Sequence, residues 1–283
     1  MIRLNPIKYR RISKLNAVEA AQLRRATAGP AVPRQSPEGA QLRRFLKSRY
    51  GISDVTPIAT FVCNKFWGGI DRDGRRLFIK TGHHHGIYEN EYRMSLALYD
   101  IDNKHFLAPR YWHDYDKFNF FANDYADGVT LKAAVTGGML TDAQRVRIIR
   151  DIWHIFCALK KSDVVHRDIR PDNLMIVDGR LVLIDFQLAV SKSNYVELDY
   201  LARRPNRLRK LGNKYFRYRR FTWDDAYSLG RCMRFVGRRT AYAGEYDRIY
   251  KNIRAHVGHD TIRATVRESD FVRFWRHIKT LKI

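Results

Sequence analysis

Between Val164 and Phe186 the chain carries three side chains suited to handling a metal-bound polyphosphate. Asp168 closes the triplet His166-Arg167-Asp168, Asn173 follows five residues later, and Asp185 stands directly before Phe186. The apolar runs Val164-Val165, Leu174-Met175-Ile176 and Leu181-Val182-Leu183-Ile184 read as short strands. If the last two pair through a turn at Asp178-Gly179, the two aspartates and the asparagine converge. One carboxylate, Asp168, can then handle the proton of a hydroxyl while Asn173 and Asp185 hold Mg²⁺ on phosphate oxygens. A polar hairpin at the edge of a core would use similar residue types. The ordered set of His-Arg-Asp, Pro171, Asn173 and strand-Asp-Phe argues against that blander reading.

Other elements must supply the rest of such a site. Thr56 to Val62, Lys65 to Asp71 and Arg75 to Lys80 read as a strand meander with a tight turn at Arg72-Asp73-Gly74. Lys80 ends the third strand, and a helix opening near Tyr88 carries Glu91, with Glu89 in reserve. A strand-end lysine paired with a helix glutamate would be aimed at phosphate oxygens. His83-His84-His85 reads as a polar loop, because adjacent histidines do not easily converge on one ion without further ligands. Asn119 to Leu131 reads as a strand, a turn and a helix start, a connector whose backbone can pair with the edge of a planar ligand. Thr141 and Asp142 open an amphipathic helix through Leu159 whose stripe is a packing face. Asp224 and Asp225 open a further helix.

The formal charge is +24, from 53 basic and 29 acidic residues. A surface so positive attracts polyanions: nucleic acid, anionic lipid headgroups or phosphorylated glycans. Residues 1–54 form a basic extension with short helices expected over Asn16 to Thr27 and Ser36 to Ser48, and Leu201 to Arg220 is again crowded with Arg and Lys among aromatics. Either could bind nucleic acid or another polyanion. Cys63, Cys157 and Cys232 are widely spaced, as expected of reduced, mostly buried thiols in the cytoplasm. Neither a signal peptide nor a membrane span is expected, so membrane contact would be peripheral, at the inner face.

With these residues in order, the chain resembles the protein-kinase-like phosphotransferase superfamily over roughly Val55 to Val236. Lys80 resembles the third-strand lysine and Glu91 its helix partner; Asp124 to Gly128 resembles the hinge. His166-Arg167-Asp168 with Asn173 resembles the catalytic loop, and Asp185-Phe186 the magnesium loop. Asp225 to Gly230 resembles the helix whose aspartate braces that loop. The resemblance implies an α+β, two-lobed fold: an antiparallel-sheet lobe over 55–125 and a mainly helical lobe over 126–283, after the 1–54 extension. It implies ATP and Mg²⁺ as cofactors. Asp168 would take the hydroxyl proton, Arg170 would steady the transferred phosphoryl group, and Asn173 and Asp185 would hold the metal. Lys80, Asp124, Ala126 and Leu174 would bind nucleotide, Leu174 beneath the adenine.

Several residues depart from the family pattern. No Gly-x-Gly-x-x-Gly precedes Lys80, which leaves Asn64 and Lys65 at the expected tip of the phosphate-covering loop. Phe78 stands where a small residue usually lies over the adenine, Gln187 replaces the glycine after Asp-Phe, and no Ala-Pro-Glu follows. Leu77 to His83 with Tyr88 to Tyr92 is similar to the bacterial lipopolysaccharide-core kinases, which phosphorylate heptose or Kdo. That implies an anionic glycolipid or phosphorylated saccharide as acceptor. A small serine/threonine protein kinase is the alternative that Arg170-Pro171 and Asp225 keep open, and a pseudokinase scaffold on nucleic acid is a third.

Overall fold

Asp71 shows how short-range chemistry sets the first sheet. Its carboxylate accepts the backbone N–H groups of Asp73 and Arg75, each at 2.9 Å, and Gly74 takes the left-handed conformation that closes the turn. The flanking strands are therefore held in an antiparallel hairpin, as the turn residues predict. The computed structural model describes residues 37–60, 64–82, 86–114, 119–202 and 205–264. The helix expected over Asn16 to Thr27, the His83-His84-His85 run and Cys63 lie outside those residues.

Helix α1 (Pro37–Tyr50) leads into strands β1 (Ser53–Thr60), β2 (Asn64–Ile70) and β3 (Arg76–Gly82), then helix α2 (Ile87–Tyr99) and strands β4 (Pro109–His113) and β5 (Asn119–Asp124). The five strands form one antiparallel sheet in the order β1-β2-β3-β5-β4. Strand alternation sorts β3: Leu77 and Ile79 are fully buried in an apolar cluster with Leu42 and Leu46 of α1. The described part of the basic N-terminal extension thus packs on the sheet. Phe78 and Lys80 fall on the opposite face of the strand.

The chain then crosses through β6 (Gly128–Thr130) into helices α3 (Leu131–Thr136) and α4 (Asp142–Lys161). Thr141 and Gln144 form a reciprocal capping box on α4. Strands β7 (Val164–Val165), β8 (Leu174–Val177) and β9 (Arg180–Leu183) follow, and β8 and β9 pair as a hairpin. Asp178 and Gly179 both have positive φ, as a two-residue hairpin turn requires. Beyond it come β10 (Val190–Ser191), three short helices, α5 (Asp199–Ala202), α6 (Pro205–Lys210) and α7 (Asn213–Phe216), then β11 (Thr222–Trp223), α8 (Asp225–Val236), α9 (Ala243–Ala255) and β12 (Ile262–Arg263). The main core lies between α4, α8, α9 and the β8–β9 hairpin, with Ile149, Ile152, Leu174, Leu183 and Leu229 excluded from solvent. The fold is α+β with a sheet-dominated first part and a helical second part, as expected. Cys232 is buried, but Cys157 is exposed on α4, against the expectation of mostly buried thiols. Among the described residues no helix is long and apolar enough to cross a membrane.

Candidate active site

Lys80 is the meeting point of the two parts of the fold. Its ammonium Nζ donates to Glu91 Oε1 and Oε2 at 2.8 and 3.1 Å and to Asp185 Oδ1 at 2.7 Å. Burial opposes the charge on Lys80, yet Asp185 and Glu91 together raise its pKa above the ordinary value. Burial likewise opposes the charge on Asp185, but Lys80 outweighs it and holds the carboxyl below its usual range. Lys80 is therefore a fixed cation and Asp185 a fixed anion. Glu89, the reserve partner, instead pairs with Arg93 at 2.5 Å.

The position of Glu91 depends on a capping device that no local sequence signal announces. Helix α2 begins after Gly86, whose side chain can cap nothing, and Asp114 from the far side of β4 accepts the N–H groups of Tyr88 and Glu89 at 3.2 Å each. On the next turn Asn90 Nδ2 donates to the carbonyls of Gln187 and Ala189, at 3.3 and 2.9 Å. The segment after Asp185 is thereby fastened to the helix that carries Glu91. Phe186 is buried and sits edge-on to His166, with ring centroids 4.7 Å apart.

The residues from His166 to Asp168 are held mainly through their backbone. Asp225 accepts the N–H groups of His166 and Arg167 at 2.6 and 3.2 Å. His166 is fully buried; its Nε2 donates to the Ile184 carbonyl at 3.0 Å and its Nδ1 accepts the Asp168 N–H at 3.2 Å. Burial pushes its pKa down to about 4, so the ring is neutral and able to play both roles. Arg167, also buried, donates to both carboxylate oxygens of Glu197 and to the Leu188 carbonyl. Its positive φ is part of the turn that presents Asp168.

Asp168 accepts from Asn173 Nδ2 at 3.0 Å and from the Gly212 N–H at 3.0 Å, and Arg170 Nε lies 3.4 Å from it. Burial raises its carboxyl to about 6 against the pull of Arg170, and Asp185 adds to the rise. A carboxylate with that value and fixed orientation suits a general base near neutral pH. Asn173 spends its Nδ2 on Asp168 and Lys80 occupies Oδ1 of Asp185, which leaves one oxygen on each as a ligand for a hard cation. Among the described residues no group of three His, Cys, Asp or Glu side chains converges as a metal site. An ion here would complete its shell from phosphate and water, the usual habit of Mg²⁺.

The remaining expected residues are placed as follows. Asp124 ends β5 with its carboxylate paired bidentately to Arg110, at 2.6 and 2.8 Å, and its N–H donates to the Ala108 carbonyl at 3.0 Å, so of its backbone the carbonyl is what remains for a ligand. Ala126 is half-buried in the connector just beyond. Asn64 and Lys65 do not lie in the turn between β1 and β2; they open β2 itself, opposite Gly82 and Thr81. The extended pairing with β3 begins there, earlier than the lack of a glycine motif implied. Leu174 is fully buried in the helical core and not beneath an open cleft. Strand alternation instead turns its half-buried neighbour Met175 to the other face. Phe78 packs against Phe66 of β2, with centroids 5.3 Å apart.

No family model matches the chain. It is 26% identical over 161 residues, 53% of its length, to a probable serine/threonine-protein kinase, pknA2, of Bifidobacterium longum, of which the match covers 21%. It is 33% identical over 87 residues, 29% of its length, to the serine/threonine-protein kinase PknD of Mycobacterium tuberculosis, of which the match covers 13%. The chain thus matches only a small part of these longer relatives. These weak similarities, with the α+β fold, support a protein-kinase-like superfamily.

Proposed function

We propose that the chain is a kinase that uses Mg²⁺ and ATP to phosphorylate a hydroxyl group. The contact of Lys80 with both Glu91 and Asp185, beside the Asp168–Asn173 pair, carries this reading. In it Lys80 binds nucleotide phosphates, and Asn173 and Asp185 hold the metal, which neutralises phosphate charge when bound. Asp168 accepts the proton of the acceptor hydroxyl, and the Arg170 guanidinium faces the charge on the phosphoryl oxygens. The backbone of Asp124 and Ala126 pairs with the base edge. Phe66 and Phe78 on the sheet face shared with Lys80 offer it an aromatic roof, and Met175, in place of Leu174, its floor.

The acceptor we favour is a sugar hydroxyl of an anionic saccharide, of the kind found in a lipopolysaccharide core, reached from the cytoplasmic side of a membrane. The charge of +24 supports it. A serine or threonine hydroxyl of a protein is the second reading, supported by the names of the relatives. A scaffold role on nucleic acid is disfavoured by a complete set of Lys80, Asp168, Asn173 and Asp185. Labelled ATP supplied with Mg²⁺ and either core glycolipid or a protein lysate separates the readings. Label is expected in the glycolipid, and label confined to protein would favour the second.

A further inference from the structure

On the acceptor side of Asp168 the protein opens a cavity of about 1090 Å³, walled by Asp168, Arg170 and the short helices α6 and α7. Arg207, Arg209, Lys210, Lys214, Arg217 and Arg220 all line it, and Asp168 is the one carboxylate among its lining residues. From Pro205 to Trp223 the sequence contains no Asp or Glu at all. Such a segment would ordinarily be a solvated basic face. Here it is folded around Gly212, whose N–H is bonded to Asp168.

That bond fixes the distance scale. Lys210 and Lys214 stand two residues either side of Gly212, so their Cα atoms lie within roughly 8 Å of the Gly212 Cα. Arg217 is anchored on the carbonyls of Arg209 and Leu211. Burial, then Arg220 and Arg209, lower its pKa, the mark of cations crowded together in a partly desolvated place. Among the described residues no carboxylate pairs with Lys210, Lys214 or Arg217. An anion of high charge density bound there would relieve that crowding at Arg217.

We infer that Lys210, Lys214 and Arg217 form an anion subsite beside Asp168 that takes a phosphate group carried by the acceptor. The inference rests on the phosphotransfer reading and adds the chemistry of the acceptor to it. A phosphate one ring away from the reacting hydroxyl fits cations placed within a few residues of the base's own hydrogen-bond partner.

The test keeps the two readings apart. With the full chain saturated by Mg²⁺ and a non-hydrolysable ATP analogue, fructose 1,6-bisphosphate, fructose and an acidic serine peptide are titrated in turn. Phosphatidylcholine vesicles containing phosphatidylinositol 4-phosphate form a further arm for a lipid-linked source. The bisphosphate or the phospholipid is expected to bind in a salt-sensitive manner, and fructose is not. Lys210→Glu with Lys214→Glu should weaken that binding at least about tenfold. Lys251→Glu with Arg254→Glu, the same charge change on the exposed face of α9, should leave it unchanged. Absence of phosphosugar and phospholipid binding, equal loss in both double variants, or tighter binding of the peptide would overturn the subsite. A prior titration of the chain with the nucleotide analogue, with and without Mg²⁺, reads the phosphotransferase assignment separately: absence of Mg²⁺-dependent nucleotide binding would count against that assignment alone.

Discussion

The backbone N–H of Gly212 lies 3.0 Å from Asp168 Oδ1, joining residues 44 positions apart. Gly212 has φ of +79°, and a Cβ there would meet the Arg167 carbonyl at 2.8 Å and Trp223 at 3.0 Å. The glycine is therefore required twice, by its conformation and by close approach. Gly212→Ala should destabilise the protein by roughly 1–3 kcal/mol and also lower turnover, because Asp168 loses its orientation. Gly138→Ala is the control: φ is +66° with nothing within 4 Å of the added atom, so only the cost of about 1–2 kcal/mol for a left-handed residue applies. Thermal denaturation beside turnover measurements separates the two; intact turnover in Gly212→Ala would show that the contact is dispensable.

The Arg167–Glu197 pair gives a prediction about stability. The guanidinium is completely buried, and Glu197 is also held by the Tyr195 hydroxyl at 2.7 Å. Glu197→Ala strands that charge and should cost about 3–5 kcal/mol in denaturant unfolding. Loss of less than about 1 kcal/mol would mean that Arg167 finds other partners.

Asp225 predicts a pH-dependent effect. Burial raises its carboxyl to about 7 despite the two N–H groups it accepts. The folded protein therefore holds a proton there that the unfolded chain releases at lower pH. That contribution is fully present below the ordinary 3.8 and is lost as pH rises through about 7. Asp225→Asn should thus lose least stability, relative to the parent, near pH 8 and most near pH 4. Asp225→Ala removes both acceptors and should cost roughly 1–3 kcal/mol for each stranded N–H. Urea unfolding at several pH values reads both.

The acid limb of the rate profile should belong to Asp168. Its carboxyl, raised to about 6 mainly by burial, must be ionised to accept a proton. Below pH 6 kcat should fall by about tenfold per pH unit, measured with nucleotide and acceptor saturating. A flat profile from pH 5 to 7 would remove Asp168 from the role of base.

Much of this site was legible because its chemistry restricts residue type. A strand-end lysine, a helix glutamate, an asparagine and two loop aspartates have few substitutes, and the Asp178-Gly179 turn announces the hairpin that assembles them. The parts that stayed hidden act through backbone amides or fill gaps left by distant elements. Asp114 caps a helix from another strand, Gly212 presents an N–H across the fold, and Glu197 answers an arginine 30 residues away. Only the Gly212-Asn213 pair, with its turn-forming types, offered a local signal. Leu174 illustrates a finer limit: in a strand an error of one residue reverses the face, and Leu174 faces the core.

Turnover of γ-labelled ATP with Mg²⁺ by the purified chain, Asp168→Asn and Asp185→Asn tests the phosphotransfer assignment most directly. The parent should transfer or hydrolyse the γ-phosphate, and each variant should be slower by at least about 100-fold. Asp168→Asn should still bind Mg·ATP, while Asp185→Asn should lose the Mg²⁺ dependence of binding. Equal turnover in all three proteins would contradict the assignment.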